Sequence, residues 1–210
     1  LKNQIWSSSN STLEIGQSKK DFDQSPVLER IQMQLKKSGI NTTHTKKPNL
    51  SWALTNIERL LKQHTNGEYI LIFPFCSKKH KKKRWPYFKS LVNKIKQFYN
   101  NKYSILVAPG PGEIEEAKIL NAKVVLDNNK QVNLNTLITL IQKSKFIISN
   151  DTGPAHICSH LNKDGLVLFG SHTSAEKVSI ESQNFKAITS KKISEIKVED
   201  VLNEIKKRLN

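Results

Sequence analysis

From Tyr69 onward the chain alternates short apolar runs with amphipathic stretches, and this rhythm restricts its fold more than any other feature. Tyr69-Ile-Leu-Ile-Phe73 is a continuous apolar run, the pattern of a parallel strand covered on both faces. After Pro86, the residues Phe88, Leu91, Val92, Ile95 and Phe98 recur at helical spacing. The same reading predicts strands at Tyr103–Ala108, Lys123–Leu126, Phe146–Ile148 and Gly165–Phe169. Between them it predicts helices from Glu113 to Leu120, through Leu134, Leu137, Ile138 and Ile141, and from Gly153 to Leu161. An amphipathic helix with Val198, Val201, Leu202, Ile205 and Leu209 closes the chain. Strands alternating with helices predict an α/β fold: a Rossmann-like parallel sheet with right-handed crossovers and helices on both faces. Ligands of such sheets lie outside the carboxyl ends of the strands, which points to the loops after Phe73, Ala108, Leu126, Ile148 and Phe169.

Residues 1–66 read differently. They are rich in Ser, Asn, Thr, Gln and Lys, with a strand start at Gln4–Trp6 and two helical patterns. The first places Val27, Leu28, Ile31 and Leu35 on one face, with Ser25 as cap and Gly39 as stop; the second runs from Asn49 to Leu61. This section has too few strands to form a domain of its own, so the boundary is drawn at 66/67. The chain begins with Leu1 rather than Met, so it is expected to be processed or to be part of something longer.

Composition removes several classes. Eight Gly in 210 residues exclude a collagen pattern, and two cysteines, Cys76 and Cys158, exclude a disulfide scaffold and suit a reducing cytosol. No apolar run approaches the ~20 residues that span a bilayer, and the first residues lack the apolar stretch of a signal peptide. Lys and Arg total 34 against 18 acids, a formal charge of +16 that favours anionic partners. Only Arg30, Arg59, Arg84 and Arg208 are arginines, against the usual chemistry of base reading, so nucleic acid is the lesser reading.

Three of the loops carry chemistry. Ser149-Asn-Asp-Thr-Gly-Pro-Ala-His156 stands where a strand hands over to a helix. Pro154 suits the first helical position, and Asp151 or Thr152 suits the cap. The helix start offers amides and a positive dipole end to an anion, and Gly153 lets a phosphate approach. Asp151 would repel a phosphate and is expected to face hydroxyls instead; His156 lies one turn in. Asp151 or Thr152 alone would read as a plain cap. The second loop runs from Pro74 to Pro86 and is cationic at six of the seven positions from Lys78 to Arg84. Ser77 and Lys83 suit a phosphate, Trp85 reads as a packing anchor, and Lys78, Lys79, Lys81 and Lys82 taken singly read as solvated. The third, Pro109-Gly-Pro-Gly-Glu-Ile-Glu-Glu116, has Glu115 where a dinucleotide fingerprint needs its third glycine, so neither NAD nor FAD is expected there. Glu113 suits a ribose diol, while Glu115 and Glu116 suit a helix start. The six histidines show no metal-ligand spacing, and no metal or other cofactor is expected.

The order Phe-Pro-x-x-Ser, Lys83-Arg-Trp-Pro86, Gly112-Glu113 after the next strand, Asn133-Leu-x-x-Leu137, Ser-Asn-Asp-Thr-Gly-Pro-Ala-His156 and Leu168-Phe-Gly170 resembles the bacterial ADP-heptose:lipopolysaccharide heptosyltransferases. These are family 9 glycosyltransferases of GT-B fold. The resemblance covers about Tyr69 to Gly170 and implies the C-terminal, donor-binding half of that fold, with residues 1–66 a remnant of the acceptor-side domain and linker. It implies that Ser77 and Lys83 hold the diphosphate of a nucleotide sugar, with Thr152 and Gly153 adding amides. Glu113 would take the ribose, Asp151 the sugar hydroxyls, and His156 would support the site. The implied partners are an ADP-linked heptose donor and a lipopolysaccharide core acceptor. The implied location is the cytoplasm, in peripheral contact with the anionic inner membrane. The chain departs from the family in its lysine-rich loop at Phe75–Lys82 and in Ser171-His172, where relatives usually carry Pro-Thr. The family's general base is an Asp of an early N-terminal loop. Neither Asp21 nor Asp23 matches it, so the catalytic base is unassigned. A truncated donor-binding module without turnover and a basic nucleic-acid-binding protein are the alternatives.

Overall fold

The computed structural model describes residues 8–209; the expected strand start at Gln4–Trp6 lies outside them. Helices α1 (Ser9–Thr12), α2 (Lys19–Phe22) and α3 (Val27–Lys37) come first, then a 3-10 turn at Ser51–Ala53 and α4 (Glu58–His64). The alternation follows: β1 (Tyr69–Phe73), a 3-10 stretch at Lys78–Lys83, α5 (Phe88–Phe98), β2 (Ser104–Val107), α6 (Ile114–Lys118) and β3 (Lys123–Val124). The second half holds α7 (Leu134–Lys143), β4 (Phe146–Asn150), α8 (Gly153–His160), β5 (Gly165–Phe169), β6 (Phe185–Thr189), a 3-10 turn at Ile193–Glu195 and α9 (Val198–Leu209).

The sheet order is β3-β2-β1-β4-β5-β6, and every neighbouring pair is parallel. The chain builds outward from β1 to β3, then returns to add β4 on the other side. The reversal opens a crevice between the loops after β1 and β4, the place where such sheets bind ligands.

Strand periodicity divides the core in two. Ile70, Ile72, Ile105, Val107, Phe146, Ile148, Leu166 and Leu168 share one cluster with Leu91, Val92 and Ile95 of α5 and Val201 and Ile205 of α9. Leu71, Phe73, Leu106, Ile147, Val167 and Phe169 share the other with Leu140 and Ile141 of α7 and Ala155 and Cys158 of α8. All five residues of β1 are buried, as its apolar run requires. Each such aliphatic side chain contributes about 1.5–3 kcal/mol relative to exposure. The sheet packs tightly at Gly165, where a Cβ would stand 2.6 Å from the Ile147 carbonyl oxygen and 2.9 Å from the Phe185 ring.

Four details differ from the sequence reading. A sixth strand, β6, pairs along its whole length with β5; only Phe185 of it is fully buried, so its pattern was too weak to read as a strand. The helix expected from Asn49 to Leu61 is broken. The Asn49 and Asn56 carboxamides accept from the Ser51 and Glu58 N–H groups, and the Thr55 N–H donates to Thr139 Oγ1. These side-chain turns compete with the helix ladder. At α3 the cap position is Pro26, not Ser25, and none of its residues is fully buried. Phe98, expected on the buried face of α5, is half exposed under the Lys206 ammonium.

Candidate functional site

The loop after β1 is fixed to the end of β4 by Asn150. This side chain is fully buried. Its Oδ1 accepts from the Trp85 N–H at 3.1 Å, and its Nδ2 donates to the Pro74 carbonyl at 2.7 Å. Trp85 is itself buried and donates through Nε1 to the Ile196 carbonyl at 2.9 Å, the anchor its position suggested. Arg84 closes the loop from outside, with Nη1 2.6 Å from Glu116 and Nη2 donating to the Cys76 carbonyl.

That staple brings Lys83 to Asp151. Lys83 Nζ lies 2.6 Å from Asp151 Oδ2, and His172 Nε2 lies 3.0 Å from the same oxygen. The Asp151 side chain is 4% exposed. Burial pushes its pKa up, but the hydrogen bonds and charges of Lys83 and His172 outweigh that and hold it below the ordinary carboxylate value. His156 Nε2 stands 3.8 Å from the other oxygen, Oδ1. Burial lowers the His156 pKa and keeps the ring neutral at neutral pH.

Because a carboxylate only accepts, His172 Nε2 carries the proton in this bond. The ring stacks on Phe169, with centroids 5.6 Å apart, and its Nδ1 is buried without a partner. The sequence reading marked the loop after Phe169 but assigned it no role. The signal was present, since His172 stands three residues beyond the carboxyl end of β5.

Ser77, Glu113, Thr152 and Gly153, four of the expected site residues, line one cavity of about 200 Å³ with Phe75 and Gly110. It lies outside the ends of β1, β2 and β4, at the crevice. The Lys83–Asp151 ion pair, with the neutral His156 beside it, adjoins that cavity and does not line it. Thr152 occupies the cap position of α8 in extended conformation, but its side chain caps nothing; its hydroxyl is 3.4 Å from Ser149 Oγ. In the first turn of α8 Pro154 has no N–H and the Ala155 N–H donates to the Thr152 carbonyl at 3.0 Å, so the Gly153 N–H, which no side chain caps, and the positive end of the helix dipole are what the turn offers an anion. Glu113 sits at the start of α6 and accepts the Gly110 N–H on Oε2 at 2.7 Å. One of its oxygens is engaged within its own loop. Gly112, at φ +76°, makes that turn. Among the described residues no three His, Cys, Asp or Glu side chains group as a metal site would, and no helix is long and apolar enough to cross a membrane.

The family model of glycosyltransferase family 9 (heptosyltransferase) matches residues 6–205. The E. coli heptosyltransferase WaaC, solved with ADP, superposes with a TM-score of 0.66 at 19% identity, over 88% of this chain and 57% of that one. E. coli ADP-heptose lps heptosyltransferase II gives a TM-score of 0.65 at 18% identity, over 90% and 63%. A glycosyl transferase family 9 protein from Veillonella parvula gives 0.67 at 16%, over 86% and 58%. The chain thus spans less than two-thirds of the length of these structures, and the likeness is one of fold. No curated protein matches it.

Proposed function

Because the chain belongs to glycosyltransferase family 9, we propose that it binds a nucleotide-diphospho-sugar and serves transfer of that sugar to an acceptor. The donor is an ADP-linked heptose and the acceptor a lipopolysaccharide core, reached from the cytoplasmic face of the membrane. Residues 67–210 are the donor-binding unit, and residues 1–66 belong to the acceptor side. The observation that carries this reading is the single cavity lined by Ser77, Glu113, Thr152 and Gly153, with Lys83 and Asp151 beside it.

In this reading the adenosine lies over the loop after β2, where the unengaged oxygen of Glu113 takes a ribose hydroxyl. The two phosphates lie between Ser77 and the first turn of α8. Lys83 has three donors, and the bond to Asp151 uses one, so two remain for phosphate oxygens. Both hydrogen bonds of Asp151 fall on Oδ2, which leaves Oδ1 for a sugar hydroxyl. Transfer is direct displacement at the anomeric carbon with inversion, and the charge that develops on the leaving diphosphate meets an ammonium and the helix-start Gly153 amide already in position. The base that takes the acceptor proton is not assigned to a residue of this chain.

Titration calorimetry tests the reading. ADP is expected to bind more tightly than inorganic phosphate, and Asp151→Asn to weaken an ADP-sugar more than ADP itself. Equal losses for both ligands would remove Asp151 from the sugar, and absence of ADP binding would overturn the donor reading.

A further inference from the structure

Asp151 is held by two unlike donors on one oxygen: Lys83 Nζ and His172 Nε2 reach Oδ2 at 2.6 and 3.0 Å. Oδ1 accepts no hydrogen bond among the described residues, with His156 Nε2 standing off at 3.8 Å. The ammonium sits on a long stem, a quarter exposed, and has further donors for phosphate oxygens. The imidazole is a rigid ring. Its Nδ1 is buried without a partner, so a proton there would meet no acceptor. The proton stays on Nε2 and points at Asp151.

The loop after β5 fixes this ring in place. Phe169 lies flat against it, with the ring planes 10° apart. Gly170 lets the chain pass close to the turn at Ile193–Glu195; a Cβ there would stand 3.1 Å from the Ile193 nitrogen. Beyond the ring, the Val178, Ser179 and Ile180 N–H groups donate to the Ser174, Glu176 and Ala175 carbonyls and close a compact turn. Ala175 and Ile180 bury this turn in the core cluster that holds α7 and α8. Its outer side caps α3. Pro26, at the cap position, makes no side-chain cap bond. The Val27 N–H donates instead to the Lys177 carbonyl at 2.9 Å, and the Leu28 N–H to Ser179 Oγ at 3.3 Å. Ser179 holds a left-handed φ of 53° there, which a serine keeps only where its surroundings fix it. Lys177 Nζ adds a bond to Gln24 at 3.1 Å. The loop that carries His172 is thus clamped between the core and the start of α3.

We propose that His172 is a positioning residue for the donor sugar: its Nε2–H pins Oδ2 of Asp151 and keeps Oδ1 turned to a sugar hydroxyl while Lys83 serves the phosphates. A carboxylate that can turn about its last bond must be ordered when the sugar binds, and that ordering weakens affinity. A flexible lysine shared with the phosphates does not supply the order; a stacked ring on a clamped loop does. The proposal rests on the donor reading, in which Asp151 meets the sugar.

ADP-heptose and ADP, titrated calorimetrically into the full chain, read the effect as the ratio of their dissociation constants. His172→Phe keeps a ring against Phe169 and removes the donor; it is expected to weaken ADP-heptose about tenfold and ADP by less than about twofold. His172→Gln, whose carboxamide N–H reaches for the same oxygen, is expected to bring the ratio back to within about threefold of wild type. Equal losses for both ligands in His172→Phe would show a structural role alone and overturn the proposal. So would a ratio that His172→Gln does not restore although the variant melts as the wild type does. An unchanged ratio in His172→Phe, beside a changed one in Asp151→Asn, would overturn the proposal and leave the donor reading standing. An unchanged ratio in Asp151→Asn would remove the donor reading of Asp151, and the proposal with it. Imidazole 15N shifts of the wild type are expected to place the proton on Nε2; a proton on Nδ1 would overturn the proposal whatever the variants do.

Discussion

Asp151 is nearly inaccessible and yet charged, because Lys83 and His172 both donate to one of its oxygens. Removing Lys83 strips the main partner from a buried carboxylate. Since Lys83 is a quarter exposed, Lys83→Ala is expected to cost about 2 kcal/mol of stability, less than a fully buried pair, and to weaken ADP about tenfold. Unchanged ADP affinity in calorimetry would take Lys83 out of the site. Asp151 also sets a pH dependence. Its folded pKa lies below the ordinary 3.8, so the stabilisation it brings is complete above 3.8 and is lost as pH falls through the lower folded value. The melting temperature of the wild type is therefore expected to exceed that of Asp151→Asn near neutrality, with the gap closing in acid below that range. A gap constant down to about pH 3 would contradict the ion pair. The octapeptide around Asp151 was legible in the sequence because a cap, a glycine and a helix-start proline fall together after an apolar strand. The partnership with His172 was not, since it joins residues 21 apart through the neighbouring strand β5.

At the scale of elements, Asn150 holds the crevice in shape. Asn150→Ala leaves the Trp85 N–H and the Pro74 carbonyl without their partner and is expected to cost about 3 kcal/mol, read as a lower urea midpoint. A loss under about 1 kcal/mol would show that water replaces the carboxamide. Gly165→Ala would drive a methyl into the Ile147 carbonyl of β4 and the ring of Phe185, at an expected cost of about 1–3 kcal/mol. A wild-type urea midpoint would contradict that close approach. The central strands could be read from sequence because both their faces are buried, which leaves a continuous apolar run. The edge strand β6 escaped because four of its five residues are at least partly exposed and Lys186 interrupts it. The break between Asn49 and Leu61 escaped because apolar spacing carries no record of the asparagine turns that compete with the helix.

For the whole molecule, the charge of +16 was visible from composition, but its arrangement was not. The fold gathers part of it on one rim, where Lys83 meets the crevice and Lys81, Lys82, Lys191 and Lys192 line a neighbouring cavity of about 490 Å³. The central claim is that a nucleotide's phosphates lie at the reversal between β1 and β4. Backbone amide NMR with ADP added tests it most directly. Shifts are expected at Ser77, Gly110, Glu113, Thr152 and Gly153, with the amides of β6 unmoved. Shifts scattered over the lysine-rich surface, with Thr152 and Gly153 silent, would contradict it.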